Sequence, residues 1–234
     1  MIARIAVVLP AYNEASLIGP ALQALRAQTL APAELIVVDN GSTDATALIA
    51  RRLASRVIHE PARGCVNARQ RGFAAASAPF VATTDADAIV PPDWLERIAA
   101  HFAGAAPADA VYGPVRLDSA TRLQRGGERL YLRFVALMDR LGYPHFNGAN
   151  FAVRRAAFDA IGGFRSDMRT YSDLDLALRL RGQARIVYDP ALGVRASARR
   201  VASLGTFGSL AEWLRYYLPR VLLGRATGQR YDIR

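Results

Sequence analysis

Short hydrophobic runs recur along the first half of the chain, and stretches with helical spacing of apolar residues separate them. Residues 5–9 form the first run and residues 35–38 the second, and both are rich in β-branched side chains. The helical pattern between them ends at Gln28, Thr29 and Pro32. Because continuous apolar runs are typical of strands buried on both faces, this pattern predicts parallel strands joined by helices.

The same alternation continues to residue 115. Further helices are predicted at residues 44–53, 64–76 and 93–102, and further strands at residues 57–58, 80–83 and 110–115. Regular alternation of strands and helices predicts an α/β fold with a mainly parallel sheet.

The regular alternation of predicted strands and helices ends in the second half of the chain. The pattern there predicts a long amphipathic helix at residues 121–141, a helix at 173–181, a pair of strands near Ile186 and Val194, and a terminal helix at 210–223. No internal repeat, low-complexity tract or flexible linker separates the two halves. We therefore expect one compact domain, 1–234, with a change of role near residue 113.

Charge is distributed unevenly between these halves. The chain carries a formal net charge of +10, and all 30 basic residues are arginines. Residues 1–113 contain 9 arginines and 10 acidic residues, whereas residues 114–234 contain 21 arginines and 10 acidic residues. The basic second half indicates an anionic partner, which can be a nucleic acid, a membrane surface or a phosphorylated small molecule.

Cysteine and histidine are scarce. Cys65 is the single cysteine, and His59, His101 and His145 are the three histidines, so an internal disulfide and a Cys/His zinc cluster are excluded. One cysteine fits a reducing compartment. The first ten residues lack a signal-peptide pattern, and no stretch reaches the ~18 apolar residues that span a bilayer. We expect a cytoplasmic protein, with peripheral contact to the inner face of the cytoplasmic membrane as an option.

Polar segments follow the predicted strands, at residues 10–14, 39–44, 63–69 and 85–87. Because ligands of open α/β sheets bind at the carboxyl ends of the strands, these segments predict one polar cleft. Asp39 can accept from a base or a ribose, while Arg63 and Arg69 can pair with phosphates, so a nucleotide fits. Turn chemistry explains residues 39–42 equally well, with Asp44 capping the next helix.

The loop after the first strand excludes two familiar nucleotide-binding motifs. A dinucleotide-binding fold needs Gly-x-Gly-x-x-Gly there, whereas residues 10–14 read Pro-Ala-Tyr-Asn-Glu. A Walker-type loop needs a lysine, and the chain has none. A nucleotidyltransferase stays an alternative, because it also places paired aspartates on an α/β sheet, but this loop lacks its glycine-rich basic pattern.

Asp85-Ala86-Asp87 is the sharpest chemical signal in the sequence, and it follows directly after a buried strand. In an extended segment, residues two apart project to the same side, so both carboxylates can reach one cation. Two carboxylates with phosphate oxygens and water suit Mg²⁺ or Mn²⁺. A solvated turn before Pro91 and Pro92 is the alternative.

Taken in order, these segments resemble the motifs of family 2 glycosyltransferases of GT-A fold. The matching segments are residues 8–14, 38–44, Arg63-Gly64 with Ala68-Arg69 and Gly72, 85–87, 147–150 with Arg154-Arg155 and Gly162-Gly163-Phe164, and 173–180. The resemblance covers about residues 4–190. It implies a Rossmann-like nucleotide-sugar-binding half, residues 1–113, fused to an acceptor-binding and catalytic half, residues 114–234.

The resemblance implies inverting transfer of a sugar from a nucleoside diphosphate sugar to a hydroxyl acceptor, on a glycan or a lipid, assisted by Mg²⁺ or Mn²⁺. It assigns Asp39 to the base or ribose, Asp87 to the metal with Asp85 beside it, and Asp173 to the general base. The implied donor-binding residues are Pro10, Ala11, Tyr12, Glu14, Asp39, Arg63, Arg69, Asp85, Ala86 and Asp87. Those implied on the acceptor and phosphate side are Asn147, Gly148, Ala149, Asn150, Asp175, Arg179, Arg199 and Arg200.

Two positions depart from the family pattern. The family usually has Glu-Asp where this chain has Ser172-Asp173, and Ser172 with Asp175 is also a helix-capping pattern. Many GT-A enzymes place a third metal ligand, a histidine, near the position of Arg195. Either the metal is held without this histidine, or Arg199 and its neighbours supply part of the positive charge that neutralises the phosphates.

The last 40 residues combine eight arginines and two acidic residues with leucine, tryptophan and tyrosine. This composition fits an amphipathic segment on an anionic membrane, and it fits a helix packed on the domain equally well. A basic nucleic-acid-binding protein is the alternative from a different class. Neither an aromatic-rich strand motif nor a recognition helix supports it, so no nucleic acid partner is expected.

Overall fold

Ten strands and seven helices make up the part of the chain that the computed structural model describes, residues 3–118, 121–168 and 170–199. The strands are β1 (Ile5–Ala11), β2 (Glu34–Asp39), β3 (Arg56–His59), β4 (Phe80–Thr83), β5 (Ala88–Ile89), β6 (Ala110–Tyr112), β7 (Val115–Leu117), β8 (Phe151–Arg154), β9 (Ile186–Tyr188) and β10 (Val194–Ala196). The helices are α1 (Ile18–Arg26), α2 (Thr46–Leu53), α3 (Cys65–Ala75), α4 (Trp94–Phe102), α5 (Arg122–Arg140), α6 (Arg155–Ala160) and α7 (Ser172–Leu180).

The larger of two sheets has seven strands in the order β3-β2-β1-β4-β8-β6-β9. The pairings among β3, β2, β1 and β4 are all parallel, which confirms the prediction for the first half of the chain. β8 runs antiparallel to both β4 and β6, and β9 runs parallel to β6. The smaller sheet has the order β5-β10-β7.

The central strand β1 is buried on both faces, because successive side chains of a strand point to opposite sides of the sheet. Ile5 and Val7 pack in a core cluster with α1 and α4 on one face, whereas Ala6 and Val8 pack with α3 and α7 on the other. A Cβ at Gly72 of α3 would lie 2.3 Å from Val8 Cγ1. Glycine at this position therefore allows α3 to lie directly on the sheet.

The strand predicted at residues 110–115 is in fact two strands in different sheets. β6 ends at Tyr112 and β7 begins at Val115. Gly113 and Pro114 separate them: proline has no N–H for a strand ladder, and a Cβ at Gly113 would lie 2.1 Å from the Leu192 carbonyl oxygen. The chain thus crosses from the larger sheet to the smaller one at this point.

The two strands predicted near Ile186 and Val194 are both present, as β9 and β10, but they do not pair with each other. β9 pairs with β6 in the larger sheet, and β10 pairs with β7 and β5 in the smaller sheet. β9 and β10 therefore make the same change of sheet as β6 and β7, and they follow them in parallel register.

The two helices predicted at 121–141 and 173–181 are confirmed as α5 and α7. The helix predicted at 210–223 lies outside the described residues. The carboxyl ends of β1, β2 and β4 meet at one edge of the larger sheet, where the loops that follow them come together.

Candidate active site

A cleft of about 780 Å³ opens at this edge of the sheet. We call its two sides the strand wall and the helix wall. The strand wall, built from loops after β1–β4 and the start of α3, consists of Pro10, Ala11, Tyr12, Glu14, Asn40, residues 63–69, Asp85, Ala86 and Asp87. The helix wall, built around the start of α7, consists of Tyr131, residues 145–148, Ser166, Met168 and residues 170–174.

Hydrogen bonds between side chains and backbone join the loops of the strand wall. Asn13, in the left-handed region at φ 53°, donates its N–H to Ser42 Oγ at 3.0 Å. Asp44 accepts from the N–H of Ala15 at 3.1 Å and from the N–H of Thr46 at 2.9 Å. Asp44 therefore holds the start of α2, as the turn interpretation predicted, and also ties together the loops after β1 and β2.

Asn40 fixes the next loop along the strand wall. Its Nδ2 donates to the Glu60 carbonyl oxygen at 2.9 Å, and its Oδ1 accepts from the N–H of Gly64 at 2.8 Å. The intervening loop carries Arg63, whose Cζ lies 4.2 Å from the centre of the Tyr12 ring. Arg63 and Tyr12 therefore form a cation–π pair at the mouth of the cleft.

Asp85 and Asp87 lie together in the cleft, and each has an arginine partner. Asp85 Oδ1 accepts from Arg69 Nη2 at 2.5 Å, and Asp87 Oδ2 accepts from Arg199 Nη2 at 3.3 Å. The pKa of Asp87 is raised, first by burial and then by the negative charge of Asp85. Two adjacent carboxylates in a partly buried site favour a cation between them.

Arg199 reaches the strand wall from the segment after β10. Its Nη2 donates to Glu14 Oε1 at 2.6 Å and Oε2 at 2.7 Å, in addition to Asp87. Burial raises the pKa of Glu14 even though Arg199 opposes that change. Arg199 therefore lies beside the acidic residues of the strand wall.

Arg69 connects the two walls. It is 7% exposed, and a Cβ at Gly148 would lie 2.1 Å from its Nη2, so glycine leaves the space that the guanidinium fills. Burial lowers the pKa of Arg69, but charge at Cys65, Asp85 and Asp173 and the hydrogen bond to Asp85 outweigh this, and the net pKa is raised. Arg69 is therefore a permanent buried positive charge between acidic groups of both walls.

Asp173 is held at the helix wall by backbone N–H groups. Its Oδ2 accepts from the N–H of Gly148 at 2.6 Å, and its Oδ1 accepts from the N–H of Leu174 at 2.9 Å. The residue that precedes α7, Tyr171, is in the left-handed region at φ 56°. These constraints fix the carboxylate of a residue that lines the same cleft as Asp85 and Asp87.

The capping interpretation of Ser172 and Asp175 is not supported. The N-cap residue of α7 is Tyr171, and no side chain makes a cap hydrogen bond there. Asp175 instead accepts from Arg179 Nε at 2.7 Å, one helical turn further on. Arg179 also donates to the Gly163 carbonyl oxygen at 2.7 Å, so this pair secures the segment before α7.

Several residues predicted for the site do not line the cleft: Asp39, Ala149, Asn150, Asp175, Arg179 and Arg199, of which Arg199 contacts the lining residues Glu14 and Asp87. Asp39 is 6% exposed and accepts from the N–H of Ser42 at 3.3 Å. Asn150 is fully buried, donates to the Pro114 and Leu192 carbonyl oxygens and accepts from Trp94 Nε1. Asn150 therefore ties the two sheets together, which corrects its predicted place on the acceptor side. Arg200 lies outside the described residues.

The sequence prediction missed His145 on the helix wall. Its Nε2 lies 2.9 Å from Tyr131 Oη, and burial lowers the pKa of the imidazole to about 4. His145 is therefore neutral at physiological pH. Its position in the sequence, two residues before the segment 147–150, is the only signal that could have indicated it.

Among residues 3–118, 121–168 and 170–199, no group of three histidine, cysteine or acidic side chains could hold a metal ion alone. Asp85 and Asp87 still fit a divalent cation. Each carboxylate lies in the cleft, and one oxygen of each is bonded to an arginine. A cation there would need further oxygen ligands from a bound phosphate or water, as is usual for Mg²⁺.

A parallel α/β sheet with a charged cleft at the carboxyl ends of its strands is typical of the class of nucleotide-binding α/β proteins. The sequence matches the profile described as Glycosyl transferase family 2 over residues 6–162. The chain belongs to this family and is a glycosyltransferase. It is 30% identical over 238 residues to a PGL/p-HBAD biosynthesis glycosyltransferase of Mycobacterium bovis BCG, covering 97% of this chain and 87% of that protein.

Solved structures of glycosyltransferases share the fold. A mannosyltransferase from Pyrobaculum calidifontis, in complex with GDP-Man and Mn²⁺, has a TM-score of 0.68 and 25% identity, covering 91% of this chain and 65% of that one. Glucosyl-3-phosphoglycerate synthase from Mycobacterium tuberculosis, with Mn²⁺, UDP and phosphoglyceric acid, has a TM-score of 0.64 and 23% identity, covering 91% of this chain and 78% of that one. The predicted GT-A fold is confirmed. The chain spans about two thirds of the length of the mannosyltransferase.

The family assignment rules out the two alternatives weighed from sequence, a nucleotidyltransferase and a non-catalytic basic binding protein. In the described part of the chain, none of the helices combines the length and the apolar character needed to cross a bilayer.

Proposed function

We propose that this glycosyltransferase moves a sugar from a nucleoside diphosphate donor to a hydroxyl acceptor with inversion at the anomeric carbon. The observation that carries the proposal is the placement of Asp85 and Asp87 on one wall of a single cleft and Asp173 on the other. Residues 1–113 would bind the donor, and residues 114–234 would supply the acceptor side and the base.

The strand wall suits a nucleoside diphosphate. Tyr12 and Arg63 offer a flat, partly exposed pair against which a base can stack. Asp39, held by the N–H of Ser42 at the end of β2, would position the base or ribose. Mn²⁺ with GDP-Man in the mannosyltransferase and Mn²⁺ with UDP in the synthase support a donor of this class.

Asp87 and Asp85 would hold Mg²⁺ or Mn²⁺ together with the donor diphosphate. A divalent ion there neutralises charge that develops on the leaving diphosphate. Arg199 is positioned to add positive charge on the same side, because it already contacts Asp87 and Glu14. Arg69 would keep Asp85 in place through its hydrogen bond to that carboxylate.

Asp173 would act as the general base. The acceptor oxygen attacks the anomeric carbon from the side opposite the diphosphate, and the hydroxyl proton passes to the Asp173 carboxylate. The two backbone N–H donors on Asp173 orient the carboxylate before the acceptor arrives. A single displacement of this kind forms no covalent enzyme intermediate and inverts the configuration.

The acceptor is proposed to be a glycan or a lipid-linked molecule used in building cell-envelope polysaccharide. The chain would be cytoplasmic, with peripheral contact to an anionic membrane.

A thermal-shift series with GDP, UDP and their sugar conjugates, with and without Mn²⁺, tests the donor part of the proposal. A ligand at ~100 times its dissociation constant should stabilise the fold by ~2.7 kcal/mol. We expect a rise in Tm for at least one nucleoside diphosphate, and a larger rise with Mn²⁺. No rise for any of them would contradict the proposal.

A further inference from the structure

Helix α5 presents three large apolar side chains to solvent. Leu130, Leu137 and Leu141 are 70%, 53% and 59% exposed. They are seven and four positions apart, so at 100° per residue they lie within about 40° of one another around the helix axis. These residues form one continuous apolar stripe along the outward face.

Basic residues flank this stripe on one side. Arg129, Arg133 and Arg140 are exposed, and their helical positions place them in a row beside the leucines. The two acidic residues of α5 lie away from the leucine stripe and accept hydrogen bonds from other segments, although Glu128 also borders a basin beside the helix. Glu128 accepts from the N–H of Leu117 at 3.3 Å, and Asp139 accepts from Tyr112 Oη at 2.7 Å.

A basin beside the first half of α5 extends the basic surface. It has a volume of about 570 Å³ and a net positive lining, made up of four arginines and two acidic residues: Arg116, Arg125, Arg129, Arg195, Asp118 and Glu128. Arg116 and Arg195 are directly paired residues of β7 and β10, so the sheet itself places their side chains next to each other. Guanidinium groups grouped in this way suit phosphate oxygens, which they bind through two parallel hydrogen bonds.

We propose that the α5 docking surface, defined as the Leu130/Leu137/Leu141 stripe, its arginine row and the four-arginine basin, binds an anionic phospholipid bilayer. Exposed leucines beside a row of arginines are typical of helices that lie in the membrane interface, where the apolar side chains enter the headgroup region. The basin would take lipid phosphate groups. The inference rests on the membrane part of the proposed function and gives it a location centred on α5, which apart from Arg195 lies outside the sequence-based choice, residues 195–234.

The position of the α5 docking surface also brings the membrane close to the proposed reaction site. Tyr131, next to Leu130, lines the helix wall of the cleft. The cleft and the proposed membrane surface are therefore on different sides of the same helix, which is ~10 Å across. A hydroxyl acceptor anchored in the bilayer would have a short path to Asp173.

Co-sedimentation of the full chain with vesicles tests the proposal. The probes are phosphatidylglycerol/phosphatidylcholine vesicles and pure phosphatidylcholine vesicles at low salt. We expect binding only to the anionic vesicles. Leu130→Ser/Leu137→Ser should weaken it by at least about tenfold, and Arg129→Gln/Arg133→Gln by about fivefold for each arginine removed.

Helix α2 provides the matched control, because Leu48 is 54% exposed and Arg51 and Arg52 are exposed on it. Leu48→Ser and Arg51→Gln/Arg52→Gln should bind the anionic vesicles within about twofold of the parent. Equal losses in the control variants would overturn the proposal in favour of unspecific charge attraction.

Two further outcomes would also overturn it. In the first, the α5 variants bind like the parent, which assigns membrane contact to another surface. In the second, Leu130→Ser/Leu137→Ser lowers Tm without affecting vesicle binding, which means that this face is covered by the protein itself. The Mn²⁺-dependent thermal shift with a nucleoside diphosphate separates these failures from failure of the transferase proposal, because a docking variant should keep that shift unchanged.

Discussion

The strand wall and the helix wall of the cleft are stabilised in different ways. Residues of the strand wall come from loops at the ends of adjacent parallel strands, and Asn13, Asn40 and Asp44 bond these loops to one another. The helix wall is held by contacts between segments distant in sequence, among them the bond from Gly148 to Asp173, the packing of Gly148 on Arg69 and the bond from Arg179 to Gly163. The strand wall therefore follows from the order of the parallel strands, whereas the helix wall depends on tertiary contacts of single residues.

The largest expected effect comes from the strand wall. Asp87→Ala should lower transfer by at least about a thousandfold, because it removes the carboxylate proposed to hold the cation on the diphosphate. It should also remove the Mn²⁺ dependence of nucleotide binding, measured by thermal shift. Asp93→Ala, at an ion pair with Arg97 outside the cleft, is the control and should leave both properties intact. An unchanged Mn²⁺ response in Asp87→Ala would rule out the metal assignment.

Gly148→Ala tests the contact between the walls. The new Cβ would occupy the position of the Arg69 guanidinium, so both Arg69 and the N–H that orients Asp173 must shift. We expect a stability loss of ~1–3 kcal/mol from overpacking and a fall in transfer of about a hundredfold from misplacement of catalytic groups.

Gly126→Ala in α5 is the matched control, because open space surrounds that position. Alanine in a helix should keep or raise stability there, by up to ~1 kcal/mol. Equal behaviour of the two alanine variants would show that Gly148 does not constrain Arg69.

A smaller effect is expected when the pH is lowered, and it arises at His145 on the helix wall. The pKa of His145 is lowered to about 4 by burial, from 6.5, so the unfolded chain binds a proton at pH 5 that the folded chain does not. This contribution to stability is complete above pH 6.5 and is lost as pH falls towards 4. Between pH 7 and 5 it should cost ~2 kcal/mol of the free energy of unfolding.

Denaturant titrations of the parent and His145→Gln at pH 7 and 5 measure this effect. The His145→Gln variant should lose less stability on acidification, whereas His59→Gln should behave like the parent, since the His59 side chain is 64% exposed. Equal pH dependence in the parent and in His145→Gln would contradict the burial of a neutral imidazole.

The smallest expected effect is at Asp39, which lies behind the strand wall. Asp39→Ala should raise the donor KM by about tenfold and leave kcat nearly unchanged, since a ground-state contact is lost. Steady-state kinetics with varied donor measure both constants. A donor KM equal to that of the parent would exclude Asp39 from base or ribose binding.

Most of the strand wall could be predicted from the sequence. The strands β1, β2 and β4 are short runs rich in β-branched residues, and they end close to Pro10, Asp39 and Asp85. The local sequence pattern of these strands therefore agrees with their burial in the sheet. Of the acidic residues after these strands, Glu14, Asp85 and Asp87 line the cleft, whereas Asp39 and Asp44 do not.

The helix wall was harder to predict because it depends on long-range contacts. β8 is four residues long and antiparallel, and it follows a Gly/Asn-rich segment, so no local period indicates it. The changes of sheet at Gly113 and between β9 and β10 depend on partners distant in sequence. For the same reason Asn150 was assigned to the acceptor side, although its side chain bonds Trp94, Pro114 and Leu192.

The central claim is that a carboxylate on the helix wall takes the acceptor proton opposite a donor held on the strand wall. Asp173→Asn tests it most directly, because asparagine keeps the size and its one amide oxygen can still accept from the N–H of Gly148 or of Leu174, but it is not a base. We expect single-turnover transfer to fall by ~10²- to 10⁴-fold, with Mn²⁺-dependent nucleotide binding and Tm close to the parent. Transfer by Asp173→Asn at a near-parental rate would contradict the account.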